Sequence, residues 1–369
     1  MTASTANQLT NPAVSHSGEV DSLLIEKFTG KVHEMYEKGE NLLSNFEVQE
    51  VTGTNMVSNK YIGGTSVQRL VAGQEPESTP STFDKNALVV DTVLLARNTV
   101  AMLHDVQSDI EVKGRLASNQ AARLKEVEDQ MVVQQLAKGG LTGGTYDGVK
   151  VTGGTKRLPE HGAAVKVAVK ETQLSDPYVL MSAIEWALNG LITQKVPLAG
   201  LKVLLPINEF STLTDLGFVD NTGVSQTIEG AYMGGMTGRL KSYGIPVMGS
   251  QQYSQMLAET PHDSSNHHLL SNADNGYRYD VTADIQKVRG IIFGRDALLC
   301  GRTIALQGDI FWDKRLKTYF IDSWFSEGAI PDRYDNIAVI ENNGATATQT
   351  QVISKATAKA KLTKSALIS

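Results

Sequence analysis

The stretch Asn86-Ala87-Leu88-Val89-Val90-Asp91-Thr92-Val93-Leu94-Leu95-Ala96-Arg97 is apolar on both alternating faces: Ala87, Val89, Val93 and Leu95 on one, Leu88, Val90, Leu94 and Ala96 on the other. A β-rich run over residues 61–72 precedes it, and the acidic, Pro-containing segment Gln74-Glu75-Pro76-Glu77-Ser78-Thr79-Pro80-Ser81 lies between the two. Residues 66–104 therefore read as a long hairpin. On a free surface a strand that is apolar on both faces is an aggregation hazard, and a partner surface removes it. The expected contact residues are Arg69 and Lys85, which flank the Glu75/Glu77 tip, together with Val89, Val93 and Leu95 on one strand face.

Working outward, Ser108-Asp109-Ile110-Glu111 is a capping-box pattern, and the periodic run Leu116, Ala117, Ala121, Leu124, Val127, Met131 continues to Gly139-Gly140. At 1.5 Å per residue such a helix is about 45 Å long, which suits an elongated, plate-like subunit. The Gly-rich residues 139–170 read as short strands joined by turns. Ser175-Asp176-Pro177 then caps a helix whose apolar stripe is Leu180, Ile184, Ala187, Leu188 and Leu191. Strands are expected at 201–205, 241–248, 286–295, 303–312, 315–324 and 336–340, and a short helix near 208–216, so the fold class is α+β. Towards the N-terminus, residues 1–17 have the Thr/Asn/Ser-rich composition of a flexible arm, and 21–37 form an amphipathic helix through Leu24, Ile25, Phe28, Val32 and Met35. Residues 344–369, with Lys355, Lys359, Lys361, Lys364 and no acid, are expected to be a disordered or weakly helical basic tail.

Composition narrows the function classes. With 369 residues and 41% apolar content the chain can bury a sizeable core. The most apolar segment, 86–104, carries Asp91 and Arg97 inside the roughly 20 residues a membrane helix needs, so no span is expected. The first twenty residues have neither a basic start nor an apolar run, so no secretory signal is expected either. The single cysteine, Cys300, rules out an internal disulfide and fits a reducing compartment. A net charge of −6 argues against broad attraction to nucleic acid.

No constellation carries catalysis. Gly139-Gly140-Leu141-Thr142-Gly143-Gly144 and Gly153-Gly154-Thr155-Lys156 lack the phosphate-loop spacing, and a helix ends at the first rather than opening there. His262, His267 and His268, with Asp263, offer donors for a metal, but neither spacing nor helical context selects one, and a solvated loop is the expectation. Cys300 in Leu298-Leu299-Cys300-Gly301 reads as a small core residue rather than a nucleophile. The carboxylate pair Glu126/Asp129 reads as a solvated helix face. Trp312, Tyr319, Phe320, Trp324 and Phe325, interleaved with Lys314, Arg315 and Lys317, read as strand residues packing on a core. Catalytic residues, metal ligands and cofactors are expected to be absent.

In order, the pieces are an arm, a helix, a long hairpin, a spine helix, an α+β unit and returning strands. This order resembles the major capsid proteins of tailed bacteriophages, of the Hong Kong ninety-seven-type fold, and most of all those of short-tailed, T-seven-like podoviruses. The stretches that carry the resemblance are 23–37, 66–107, 109–137, 176–210, 238–251 with Tyr243-Gly244-Ile245-Pro246-Val247, and 288–340 with Gly294-Arg295-Asp296-Ala297. It implies an N-terminal arm and helix (1–57), an extended loop (58–107), a peripheral domain with the spine helix (108–171), an axial domain (172–285), return strands of the peripheral domain (286–343) and a flexible basic tail (344–369). It also implies self-assembly into hexamers and pentamers of an icosahedral shell enclosing double-stranded DNA without sequence-specific binding. The implied location is the virion capsid, assembled in the host bacterial cytoplasm. A scaffolding protein and a portal are the implied partners, with a decoration protein as a further option and no membrane. Two other readings compete: a cellular nanocompartment shell of the same fold, and a metal-dependent enzyme built on the His262/His267/His268 loop.

Overall fold

The computed structural model describes residues 42–65, 67–70, 72–73, 75, 80–101, 112–215, 219–220, 236–240, 243–250, 253, 267–343 and 345–368. The arm, the helix expected at 21–37, the capping box at 108–111 and Glu77 lie outside them.

A 3-10 turn, Leu42–Asn45, leads into strand β1 (Val48–Glu50), and β2 (Met56–Ile62) then runs antiparallel to β3 (Phe83–Val89) as a two-stranded ribbon. The chain turns at Asp91-Thr92 into β4 (Leu94–Ala101). The spine helix α1 (Val112–Leu141) follows, then β5 (Gly144–Tyr146), β6 (Val151–Thr152) and β7 (Val165–Val169). A single turn, α2 (Glu171–Leu174), precedes α3 (Pro177–Thr193), whose start is set by Asp176: its carboxylate accepts from the Tyr178 N–H while Pro177 occupies the first helical position. Next come β8 (Lys202–Pro206), α4 (Ile207–Asp215), β9 (Val219–Asp220), β10 (Met236–Leu240) and β11 (Pro246–Ser250). The chain closes with β12 (Val288–Phe293), the long pair β13 (Leu298–Asp313) and β14 (Thr318–Pro331), β15 (Ile337–Asn342) and α5 (Ala347–Ile368).

One nine-stranded sheet, ordered β6-β5-β7-β15-β12-β8-β11-β10-β9, forms the centre. It draws strands from 108–171, 172–285 and 286–343 alike. Because successive strand residues face opposite sides, β15 gives Ile337 and Val339 to the core beneath α1, and Ala338 and Ile340 to the core beneath α3. On the α1 side these residues meet Val132, Val133 and Leu136; on the α3 side they meet Leu180, Ile184, Leu188 and, from α5, Val352 and Ala356. A second, four-stranded sheet, β1-β13-β14-β4, packs on the N-terminal part of α1.

Three expectations are corrected. The spine helix does not stop at Gly139-Gly140 but runs through both to Leu141. The reason is close packing: a Cβ on Gly140 would lie 2.0 Å from Val339 Cγ1, and one on Gly139 2.8 Å from Ile337 Cδ1. Of the strand expected over 241–248, residues 246–248 lie in β11, but residues 243–245 precede it as a connection in which Gly244 adopts a φ of +66°. Residues 347–368 form the helix α5, held on α3 by Lys355 and Lys359, both paired with the buried Glu185.

Gly140→Ala should lower the unfolding free energy by about 1–3 kcal/mol through overpacking, even though Ala favours a helix over Gly by about 1 kcal/mol. Denaturant titration checks this, and adding Val339→Ala, which clears the clashing methyls, should recover part of the loss.

Candidate assembly site

The ribbon β2/β3 has two chemically different faces, set by its register. Val57 lies opposite Leu88, Asn59 opposite Asn86, and Tyr61 opposite Asp84. This inner face is seated on the body. Val57 and Leu88 are buried with Val51, Val90, Leu299 and Ile330 in a small core of their own.

Beyond that core the seating is polar and converges on one carboxylate. Asp332, 3% exposed, accepts hydrogen bonds from Asn59 Nδ2 (2.8 Å), from Asn86 Nδ2 (2.7 Å) and from the Tyr61 hydroxyl. Arg157 closes the arrangement from the other side. Its guanidinium donates to the carbonyls of Pro331 (3.1 Å) and Asp332 (3.2 Å), lies over the rings of Tyr61 and Tyr334, and sits 3.6 Å from Asp84. Burial, followed by the bond to Asp332 and its charge, pushes the Tyr61 hydroxyl well above its ordinary range, so it remains a donor at physiological pH. Strands from both sides of the ribbon are thus pinned to the segment after β14, which makes the ribbon a rigid projection.

The outer face is free of such contacts. Met56, Ile62 and Phe83 are 42%, 68% and 72% exposed, and in the loop beyond them Val67 and Leu70 are 95% and 76% exposed. Arg69 and Glu75 are exposed in that loop, and Lys85 is exposed on the outer face of β3. Val89, Val93 and Leu95 do not share a strand face as expected. Val89 ends β3, Val93 lies in the corner, and Leu95 belongs to β4, opposite Trp324 in a different sheet. The corner is polar and held: the Thr92 carbonyl accepts from Ser326 Oγ (2.8 Å), its hydroxyl accepts from Asn272 Nδ2 (3.0 Å), and Asp91 accepts from Asn275. Half of the doubly apolar run is therefore satisfied within the subunit, since Leu88, Val90 and Leu94 are buried. Val93 and Leu95 remain about half exposed.

The other chemical candidates resolve into packing. Cys300 is buried within β13, and burial pushes its thiol far above the reactive range. Phe311 stacks on Phe320 at 5.1 Å, and Arg97 lies over both rings while bonding Asp322 at 2.5 Å. His262 and Asp263 lie outside the described residues, and the loop expected to be solvated is packed over 267–280. There His267 Nδ1 is 2.7 Å from Asp280 and its ring stacks on Tyr277, while His268 is buried and accepts from the Leu270 N–H. Among the described residues no group of His, Cys, Asp or Glu is placed to hold a metal, and no helix is long and apolar enough to cross a membrane.

The reading of Glu126/Asp129 as a solvated face is corrected for Asp129, whereas Glu126 stays at the surface, paired with Arg123. Asp129 is 1% exposed and accepts the Leu42 N–H at 3.0 Å. It belongs to a buried cluster in which Lys125 Nζ lies 2.7 Å from Glu128 and 3.8 Å from Asp129, beside the Arg302–Glu327 pair of β13 and β14. Three carboxylates face two cations there. Burial, then the charges of Glu327 and Asp129, holds the Glu128 carboxyl well above the usual carboxylate range, and burial lowers Lys125.

With this geometry in hand, comparison with solved structures is informative. The chain superposes on the mature capsid of bacteriophage PhiM1 with a TM-score of 0.61 at 14% identity, covering 82% of this chain and 86% of that one. It superposes on the capsid of cyanophage P-SCSP1u with a TM-score of 0.60 at 13% identity, covering 82% and 87%. The fold is that of a phage capsid subunit. No family model matches the chain, and no curated protein sequence is similar to it.

Asp332→Ala should strip three donors of their acceptor and lower stability by at least about 1.5–3 kcal/mol, the range for one hydrogen bond to a charged group. Amide exchange should rise over β2 and β3 before it rises elsewhere. Glu128 has a raised folded pKa, so its favourable contribution is complete below the unfolded value of about 4.3 and is lost as pH climbs through the folded value. Glu128→Gln should therefore leave the fold intact and flatten the fall in thermal stability as pH rises above about 5, as measured by thermal unfolding across a pH series.

Proposed function

We propose that this chain is the major capsid protein of a tailed phage, self-assembling as hexamers and pentamers into an icosahedral shell around double-stranded DNA. The observation that carries the reading is the ribbon. A two-stranded element is marginal on its own in water, yet here it is pinned by a buried carboxylate on one face and leaves Met56, Ile62 and Phe83 exposed on the other. Such a face gains burial only against a neighbour. Residues 58–107 are then the extended loop, with Arg69, Glu75, Glu77, Lys85, Val89, Val93 and Leu95 as contact residues. Residues 108–171 and 286–343 serve as the peripheral domain and 172–285 as the axial domain. A short-tailed, T-seven-like podovirus is the source this reading favours, with assembly in the bacterial cytoplasm alongside a scaffolding protein and a portal. The likeness of the fold to phage capsid subunits supports a structural role over an enzymatic one.

Phe83→Asp places a charge on the outer face without touching the subunit core. Circular dichroism and thermal unfolding should match the wild type within about 0.5 kcal/mol, as for other surface substitutions. Electron microscopy should show shells, tubes or sheets for the wild type and few or none for the variant. Equal assembly by both proteins would remove the ribbon from the interface.

A further inference from the structure

On the outer face of the ribbon, the register sets Lys60 directly opposite Lys85. Both are exposed, and neither forms an ion pair with a described residue. Directly opposed side chains on neighbouring strands have Cβ atoms about 4.5–5.5 Å apart, and like charges at that spacing destabilise the pairing. On the same face Ile62 is opposite Phe83 on one side of the lysine pair, and on the other side Ser58 is opposite Ala87, followed by Met56 opposite Val89. The acid on this ribbon, Asp84, points to the inner face beside Arg157 and is not available to them. The face is thus locally cationic in a chain with 40 acidic and 34 basic residues, so another copy brings carboxylates in excess.

We propose that this face binds a second copy of the chain by receiving one or more of its carboxylate side chains between Lys60 and Lys85, with Ile62, Phe83, Met56 and Val89 making the surrounding apolar contacts. The inference rests on the shell reading and specifies the chemistry of its interface. A carboxylate there relieves the repulsion between the lysines, so the charge mismatch in the free subunit becomes a driving force in the assembly. It also confers selectivity, because an apolar surface without a carboxylate would leave two cations buried and unpaired. Nucleic acid fits less well: two lysines make a small phosphate footprint, and the flanking apolar residues find no partner on a phosphate backbone.

The test uses the full chain, nuclease-treated, at rising concentration in polyethylene glycol as crowder, with light scattering and electron microscopy. Lys60→Glu turns the like-charge pair into an opposite pair, so the dissociated subunit should unfold at the same temperature as the wild type or higher. Its threshold concentration for assembly should nevertheless rise at least tenfold. Lys60→Glu with Lys85→Glu should abolish assembly while circular dichroism remains native, and Lys60→Arg should assemble close to the wild type. If the wild type forms shells and the double variant forms them at the same concentration, the proposal is wrong while the shell reading stands. Shells that require added DNA, with the variants failing only in DNA binding, would assign the lysines to nucleic acid instead. A wild type that never assembles, alone or with a scaffolding protein present, overturns both.

Discussion

The structure depends on one sheet being buried from both sides. β15 shows the constraint most clearly: Ile337 and Val339 must find apolar partners on α1 while Ala338 and Ile340 find them on α3, so neither helix can move away without exposing half of the strand. The α1 side is the tighter of the two. Its last turn carries two glycines where any side chain would collide with β15, and the helix tolerates their low propensity because the close approach is compensated by packing. From this anchored end α1 extends along the second sheet as a fixed spine.

On that frame the ribbon is held by polar rather than apolar means. Six buried or half-buried apolar residues seat its base, but farther out Asn59, Asn86 and Tyr61 all converge on Asp332. Hydrogen bonds are directional where dispersion is not, so this arrangement fixes the angle at which the ribbon leaves the body. The ordering of the ribbon is thus stabilised by contacts within the chain, while its outer face keeps Met56, Ile62 and Phe83 exposed around Lys60 and Lys85.

Charge follows the same division between interior and surface. The cluster of Lys125, Glu128, Asp129, Arg302 and Glu327 joins the spine helix to β13 and β14, and through the Leu42 N–H it also ties down the chain entering β1. Its carboxylates outnumber its cations, and burial together with the neighbouring charges of Glu327 and Asp129 raises the Glu128 carboxyl and so favours its neutral form. On the surface, Lys60 and Lys85 present the opposite imbalance, which no described group of the same subunit relieves.

Local pattern determined much of this in advance. The spine helix, the capped helix α3 and the alternating strands were legible because period and capping act over a few residues, and the order of those elements carried the resemblance to capsid subunits; the hairpin was legible only in part, since its first strand is Met56–Ile62 where 61–72 was expected. Cys300 and, of the strand aromatics, Tyr319 and Phe325 were also legible as core, because composition and alternation set burial. What only the tertiary structure decided depends on residues far apart in the chain. The hairpin's return run splits into β3 and β4 because Asn272, Asn275 and Ser326 hold the corner at Asp91-Thr92. Asp129 is buried where the chain entering β1 meets the helix, its carboxylate taken by the Leu42 N–H, and nothing within one turn of helix signals that. Asp332 becomes the seat of the ribbon only when residues some 250 positions upstream fold back onto it, with Asn86 separated from it by 246. Lys60 faces Lys85 through a strand register that depends on where the ribbon's inner side finds its core, and that core is made of Leu299 and Ile330 from the far end of the chain.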